Sequence, residues 1–505
     1  MQKIFDFAVF GGGIIGASIF NKLCKIGKNC VLIELNDIAS GATKANSAII
    51  HAGFDAKPNT LKAKFNVEGS KMYPHICSRL GVPYKQIGAY VLGSDLSIVK
   101  ELYNRGIENG LNKNDLQILT NKDLNKRLPN LNPNITCALF AKNSAITNPY
   151  LLNIALAEEG VINGGTCLTF FKTTNITHNG QHYIINGNNT QICAKKIINA
   201  CGYGYNDIAK LLKTETYNIT LTRGEYFVLD HSEQNIVSST LFPLPSKLGK
   251  GVLVTPTVDG NILVGPNATF CELSTKTTIV GLNDIKQKSA SLINNINFKK
   301  SIRQFAGLRT VCGDDFIIEQ SKKDKNVINI AGICSPGLSS APAIAEYVVK
   351  LLGINNKEIK NKKLEPYFLA KDLNDEQFNS LVKKDPRYGK IICKCEMITE
   401  GDIVFALHRP IPALTVDAVK RRVRAGMGRC QGGFCMDKVA KIIAREYNMP
   451  LCNVQKEFPN SNIFVGNIKE AQHDWCSCYW WWTCWHGGCI ISKQNRRQSY
   501  FDWTQ

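Results

Sequence analysis

The stretch Phe5 to Phe20, FDFAVFGGGIIGASIF, constrains the fold of this chain more than any other. A short apolar run breaks into Gly11, Gly12 and Gly13, then resumes as a helix with Gly16 on its first turn. A second apolar run, Asn29 to Glu34 (NCVLIE), ends in an acidic residue. Strand, glycine turn, helix, strand and acid in this order predict a dinucleotide site. Gly11 permits the tight turn, Gly13 lets a pyrophosphate approach the backbone, and Gly16 allows close helix–strand packing. The helix opens at Ile14 and Ile15 with its N-terminus facing the phosphates, and Glu34 accepts hydrogen bonds from a ribose hydroxyl.

A chain of 505 residues has room for two or three domains, and 44% hydrophobic with 20% charged residues describes a soluble globular protein. No apolar run approaches the roughly 18 residues of a membrane span, so no transmembrane segment is expected. No basic segment leads into a signal core at the N-terminus, which predicts a cytoplasmic protein. The net charge of +20 comes mostly from Lys scattered among Asn and Ile, not from a basic stripe interleaved with aromatics. A coding bias towards A and T enriches the same residues, so nucleic acid is not an expected partner. Attraction of anionic substrates is a minor consequence. The 19 cysteines, in a cytosolic chain, argue against a disulfide framework.

After Glu34, the hydroxyl-rich loop with Ser40, Gly41, Thr43, Asn46 and Ser47 suits close approach to a cofactor. His51 comes next, between an apolar pair and Ala52-Gly53, where a core histidine and a residue beside a flavin are both open readings. Together the glycine fingerprint, Glu34 and the run SGATKANSAIIHAG resemble the FAD-dependent glycerol-3-phosphate dehydrogenases, anaerobic type, of the D-amino-acid oxidase-like superfamily. L-2-Hydroxyglutarate oxidases belong to the same superfamily. The resemblance extends to about residue 355. It takes in AITNP at the head of a helix from Tyr150, IINACG ending at Gly202, and the segment 327–349 with Gly332, Gly337, Leu338, Ser339 and Ser340.

The resemblance implies an α/β fold: a Rossmann-like FAD-binding domain (about 1–80, 140–205 and 301–355) interleaved with an antiparallel-sheet substrate domain (about 81–139 and 206–300). It also implies a helix near 338–340 whose N-terminus points at the flavin's pyrimidine ring and stabilises the negative charge of reduction. Arg309 in FAGLR matches the arginine that grips the substrate's anionic group, for which a guanidinium offers a bidentate fork. Arg223 and Tyr226 in LTRGEYF are further substrate-binding candidates, with Lys247 and Lys250 behind them.

Between 356 and 384 the Lys/Asn/Asp-rich text reads as a linker, with a new domain from 385 to 450. There Cys393-x-Cys395 and Cys430-x4-Cys435 form two close thiolate pairs that suit four-thiolate ligation of iron. Zinc is the chemical alternative, although its sites favour C-x2-C or wider pairs. Residues 385–448 resemble the bacterioferritin-associated-ferredoxin-type domain, a small helical iron–sulfur domain holding a 2Fe-2S cluster. The basic run Lys420, Arg421, Arg422 and Arg424 reads as a solvated helix face, a docking surface for an acidic partner, or an offset to the cluster's charge.

The tail, 451–505, ends in text without helical or strand period, rich in Trp and Cys (Cys476, Cys478, Cys484, Cys489). Tryptophan has a single codon, so WWWTCWHGG is nearly fixed in nucleotides. Shifted by one base, with plausible codons, the whole tail reads as a start methionine, a strand, a dinucleotide fingerprint, a helix and a second strand. From about 473 the tail is therefore expected to be out-of-frame translation of an adjacent or overlapping flavoprotein gene.

The resulting expectation is an FAD-dependent dehydrogenase that takes a small anionic alcohol, sn-glycerol 3-phosphate first, to dihydroxyacetone phosphate. Arg309 holds the anion and His51 is the base. Electrons pass through the 2Fe-2S cluster to a partner, a second nucleotide-binding flavoprotein subunit, with peripheral membrane association open. An L-2-hydroxyglutarate or other 2-hydroxyacid dehydrogenase, an amino-acid oxidoreductase, and an electron-transfer subunit without its own substrate are the alternatives.

Overall fold

The computed structural model describes residues 3–464 apart from 129 and 246–250. Lys247, Lys250 and the part of the tail from about 473, with its expected change of reading frame, lie outside the described residues. The chain forms two compact units, the first running to Phe368 and taking in Gly428–Gln431, the second beginning at Leu369.

The first unit is organised around Ile4–Phe10, which pairs in parallel with Cys30–Ile33 on one side and Thr190–Asn199 on the other. Thr166–Leu168 and Val327–Ala331 extend this parallel core outward, and three antiparallel strands complete an eight-stranded sheet. Strands buried on both faces read as continuous apolar runs, as IFDFAVF and CVLI do. Helix Ile14–Lys25 is buried over all but one of its residues, since it packs between the sheet and the helices Pro149–Ile162 and Gly337–Leu351. Asn148 caps the second of these by accepting from Leu151 N–H, with Pro149 in the first turn, which accounts for the AITNP signature.

A nine-stranded sheet carries the rest of the unit, drawn from residues 89–141 and 220–311. It is antiparallel except where Thr240–Pro243 runs parallel to Ala89–Gly93. The segment 301–311 does not return to the cofactor domain as the sequence suggests. Instead Ser301–Val311 pairs along nearly its whole length with Thr220–Leu229. The expected linker also carries structure: residues 356–368 lie along the first unit, where Ile359 and Lys360 N–H donate to the Lys25 carbonyl and Glu358 pairs with Lys22 and Lys25.

The second unit contains the helices Asp375–Lys384, Glu400–Leu407, Val416–Val423 and Met436–Glu446 with a two-stranded ribbon, Ile391–Cys393 and Ile398–Thr399. Ile403, Val419 and Ile443 are fully buried at its centre. Thr399 and Asp402 form a capping box on the second helix, an arrangement typically worth about 1 kcal/mol.

The basic run is neither a solvated face nor a docking surface. Arg421, Arg422 and Arg424 are only 4%, 3% and 7% exposed. Arg421 pairs with Glu457 at 2.8 Å, Arg422 donates to the Ala418 and Ile411 carbonyls, and Arg424 pairs with Glu396 at 2.8 Å. Arginine rarely goes inside without such partners, and Glu457 and Glu396 come from well outside the helix.

A candidate nucleotide and substrate cavity, and a candidate cysteine site

The first unit encloses a cavity of about 1260 Å³. Gly11, Gly13, Ile14, Ile15 and Glu34 line one part, together with Thr43, Asn46 and Ser47 from the loop after the second strand. At Gly11 (φ +100°) a Cβ would stand 2.5 Å from the Ala200 carbonyl, so only glycine lets these two strand ends meet. Gly16 lies behind the wall, where its missing side chain leaves room for the Gly11 carbonyl. The helix Ile14–Lys25 begins with no side-chain cap from its own N-cap residue and no acid in its first turn. One amide there, Ile14 N–H, is met by Thr43 Oγ1 at 3.0 Å. A helix start in that condition suits phosphate oxygens.

Glu34 accepts from Gly12 N–H at 2.6 Å and Asn36 N–H at 2.9 Å. Burial pushes its carboxyl above the ordinary range, against the pull of those amides. The Leu35 amide also bears on this carboxylate, whose remaining lone pair is open to a ribose hydroxyl. Asn46 is occupied in shaping its own loop, donating to the Thr43 carbonyl and accepting from Ala48 N–H. Ser40 is buried beside the loop and does not reach the wall. Gly202 lines the cavity, and so does Cys201, a residue the glycine and hydroxyl motifs do not flag.

The other part of the cavity is lined by His51, Tyr226 and Arg309, with Gly337 and Leu338 at the start of the helix Gly337–Leu351. The backbone N–H of His51 donates to Ser339 Oγ at 2.8 Å, and its ring leans on Phe242 with centroids 5.6 Å apart. Tyr226 stacks on Phe305 at 4.6 Å, its hydroxyl 3.1 Å from Ser47 Oγ. Arg309 faces Gly224, where a Cβ would stand 3.0 Å from the guanidinium. One of its nitrogens lies 3.5 Å from the Asn267 carbonyl, a long contact that leaves donors for an anion. Asn267 is a second wall residue that sequence reasoning missed. A signal was there in the Gly-Pro pair before it, which marks a turn.

Three expectations need correction. Arg223 is absent from the wall: residues alternate across a strand, so Thr222, Gly224 and Tyr226 face the cavity while Arg223 and Glu225 face away, 3.9 Å apart. Ser339 and Ser340 are also behind the wall, since one hydroxyl meets His51 N–H and the other donates to the Pro336 carbonyl. Gly332, at the end of its strand, serves the turn and not the cavity surface.

In the second unit Cys393 and Cys435 are buried and Cys395 is exposed; Cys430, half-buried, lies in the segment Gly428–Gln431 that belongs to the first unit. A hydrogen bond with Cys435 holds the Cys393 thiol well below the ordinary range, helped by the amides of Gly426 and Glu396 and opposed by burial. Sulfur close to its anionic form and ringed by amide donors is what an iron–sulfur cluster asks of a ligand. Among the described residues no three candidate ligands are gathered closely enough to hold a single metal ion. What fits a cluster here is the Cys393–Cys435 pair and the two amides that reach the Cys393 sulfur.

A family model described as FAD dependent oxidoreductase matches residues 6–351. A second, described as BFD-like 2Fe-2S binding domain, matches residues 391–445. The chain is 44% identical over 479 residues to a glycerol 3-phosphate dehydrogenase of Caloramator mitchellensis, a match covering 92% of this chain and 99% of that protein. It is 32% identical over 375 residues to a glycerol 3-phosphate oxidase of Mycoplasma genitalium, covering 71% and 97%. Among solved structures, dithionite-reduced L-alpha-glycerophosphate oxidase from Mycoplasma pneumoniae with FAD bound matches with a TM-score of 0.68 at 30% identity, covering 72% of this chain and 98% of that one.

Proposed function

The chain belongs to the FAD dependent oxidoreductase family and carries a 2Fe-2S binding domain, and from that premise we propose that it oxidises sn-glycerol 3-phosphate to dihydroxyacetone phosphate. The observation that carries this reading is the meeting of Arg309, Tyr226 and His51 on one cavity whose other part has the glycine turn and Glu34. When bound, FAD supplies a two-electron acceptor and the 2Fe-2S cluster a one-electron carrier. The glycine turn, Glu34 and the loop 41–47 would hold the first, and Cys393, Cys395, Cys430 and Cys435 the second.

Arg309 grips the phosphate and fixes which end of the substrate enters first. Tyr226, pinned by Ser47 and Phe305, keeps that part of the cavity rigid and offers a hydroxyl to the bound alcohol. His51 accepts the proton of the carbinol hydroxyl on a ring nitrogen, its backbone held by Ser339 and its ring by Phe242. Holding the reacting carbon still in this way removes much of the entropic barrier.

Seven tenths of this chain spans nearly the whole of the Mycoplasma genitalium relative named an oxidase, whereas the relative named a dehydrogenase matches 92% of it. The portion beyond the oxidase's reach supports an acceptor other than oxygen, a partner flavoprotein chain that receives the electrons. No helix among the described residues is long and apolar enough to cross a membrane. The out-of-frame origin of the tail belongs to the same reading: the coding DNA should show an open frame one base away that continues well past Gln505, and an early stop there rejects it.

The substrate is tested by following an artificial electron acceptor with glycerol 3-phosphate and with 2-hydroxyglutarate. Turnover with the first supports the reading. Turnover with the hydroxyacid alone would replace it, because a guanidinium binds carboxylate as well as phosphate.

A further inference from the structure

One of the buried ion pairs of the second unit abuts the cysteine site. Glu396 stands between Cys395 and Met397 in the sequence, with its side chain 2% exposed, and Arg424 is 8% exposed. Arg424 Nε donates to Glu396 Oε2 at 2.8 Å, and Lys371 Nζ lies 3.9 Å from the same oxygen. Arg424 is the left-handed residue (φ 65°) that closes helix Val416–Val423, and Met427 N–H returns to its carbonyl at 3.0 Å. Inside that turn is Gly426, whose amide reaches the Cys393 sulfur, as does the amide of Glu396 itself. The pair therefore ties the turn bearing Cys393 and Cys395 to the turn that supplies an amide to Cys393. A buried carboxylate or guanidinium alone would be strongly unfavourable, while the two together are nearly neutral towards their surroundings.

We propose that the buried Glu396–Arg424 ion pair is a clamp that positions the Cys393–Cys395 turn for cluster ligation and sets the electrostatic field at the cluster, with the part-exposed Lys371 at its edge. Neither is a ligand, and both act through the cysteines beside them. The pair has two separable consequences. Geometry governs how firmly iron is retained, and charge balance governs the reduction potential of the bound cluster. Removing the carboxylate leaves a buried cation near the sulfurs and favours the reduced, more negative cluster. Removing the guanidinium leaves the buried carboxylate with only the part-exposed Lys371 ammonium 3.9 Å away, a more negative surrounding than the parent's, and disfavours it.

The test uses full-length protein loaded anaerobically with iron and sulfide, in the forms E396Q, R424Q, E396Q/R424Q and R424K. Two quantities are read: the midpoint potential, from an EPR-monitored redox titration, and the rate of iron loss to a colorimetric chelator. E396Q should shift the potential upward and R424Q downward, with the double variant returning to the parent value. Iron loss should be at least threefold faster in both single variants and in the double. R424K keeps the charge without the planar fork, so its potential should stay put while iron loss rises at least twofold. Shifts of the same sign in the two single variants, or no shift with parental iron retention, overturn the proposal. If far-UV circular dichroism shows that R424Q does not fold, E396Q and R424K decide it. An unmoved potential in E396Q, or parental iron retention in R424K, then overturns it.

Discussion

Along the nucleotide part of the large cavity, much of what faces inward is backbone. Gly11 and Gly13 bare the chain, helix Ile14–Lys25 opens without a side-chain cap, and even Glu34 is held by two amides. Around the cysteines of the second unit, amides also point at sulfur, but they are held in place by buried charge: Glu396 against Arg424, with Arg421 against Glu457 further along the same helix. The first kind of site is sensitive to volume, since one added methyl group strikes a carbonyl. The second is sensitive to charge, since deleting one partner strands the other. The same substitution chemistry should therefore have unequal effects in the two places.

The largest effect is expected for Gly11→Ala, which combines a left-handed backbone with a clash against Ala200. It should cost about 3 kcal/mol or more and yield protein without flavin absorbance near the visible maximum. A yellow, stable Gly11→Ala protein would break the volume argument. Next comes Arg309→Ala, expected to lower kcat/KM about a hundredfold, or about 2.7 kcal/mol of transition-state binding. Arg223→Ala, one strand away and on the opposite face, should stay within about twofold in the same assay. Equal losses would mean that the alternation across the strand does not decide which arginine meets substrate.

In the second unit, Arg422→Met should keep the packing of the stem and lose the bond to the Ile411 carbonyl. A loss of about 2 kcal/mol in chemical denaturation of that unit is expected, with flavin content unchanged. The smallest effect concerns acid stability of the first unit. Burial raises the Glu215 carboxyl, but bonds from Ser321, Asn329 and the Lys323 amide prevail and hold it at about 2 against an ordinary 4.5. With the folded value depressed, the unfolded chain binds the proton more readily between those values. The contribution is complete above about pH 4.5 and lost as pH falls towards 2. Glu215→Gln should flatten the pH dependence of unfolding in that window and nowhere else.

The nucleotide part was legible in the sequence because its parts are contiguous: three glycines, a helix and Glu34 lie within about thirty residues, and each has a local reason. The cysteines form two close pairs in the sequence, and folding brings Cys393 of one pair within hydrogen-bonding reach of Cys435 of the other. Where the reading failed, the deciding partner was remote. Strand parity separates Tyr226 from Arg223, yet LTRGEYF does not say which face is covered until Ser301–Val311 pairs beside it. That strand looks like part of the nucleotide domain because Arg309 serves the cavity, although its hydrogen bonds belong to the other sheet. The basic run looks solvent-exposed because charge usually is. Its partners Glu396 and Glu457 and the Ile411 carbonyl become neighbours only on folding.

Gly307 sits two residues before Arg309, and its missing side chain makes room for the carbonyl of Ala45. The strand that carries Arg309, the proposed anion anchor, thus rests directly on the loop expected to border the flavin nucleotide. On the proposed reading, loading of the coenzyme and readiness for the metabolite should be joined at this contact. Partially flavinated preparations should accordingly tighten their hold on substrate as coenzyme is added back, and the gain should vanish when Gly307 is enlarged enough to push the loop aside.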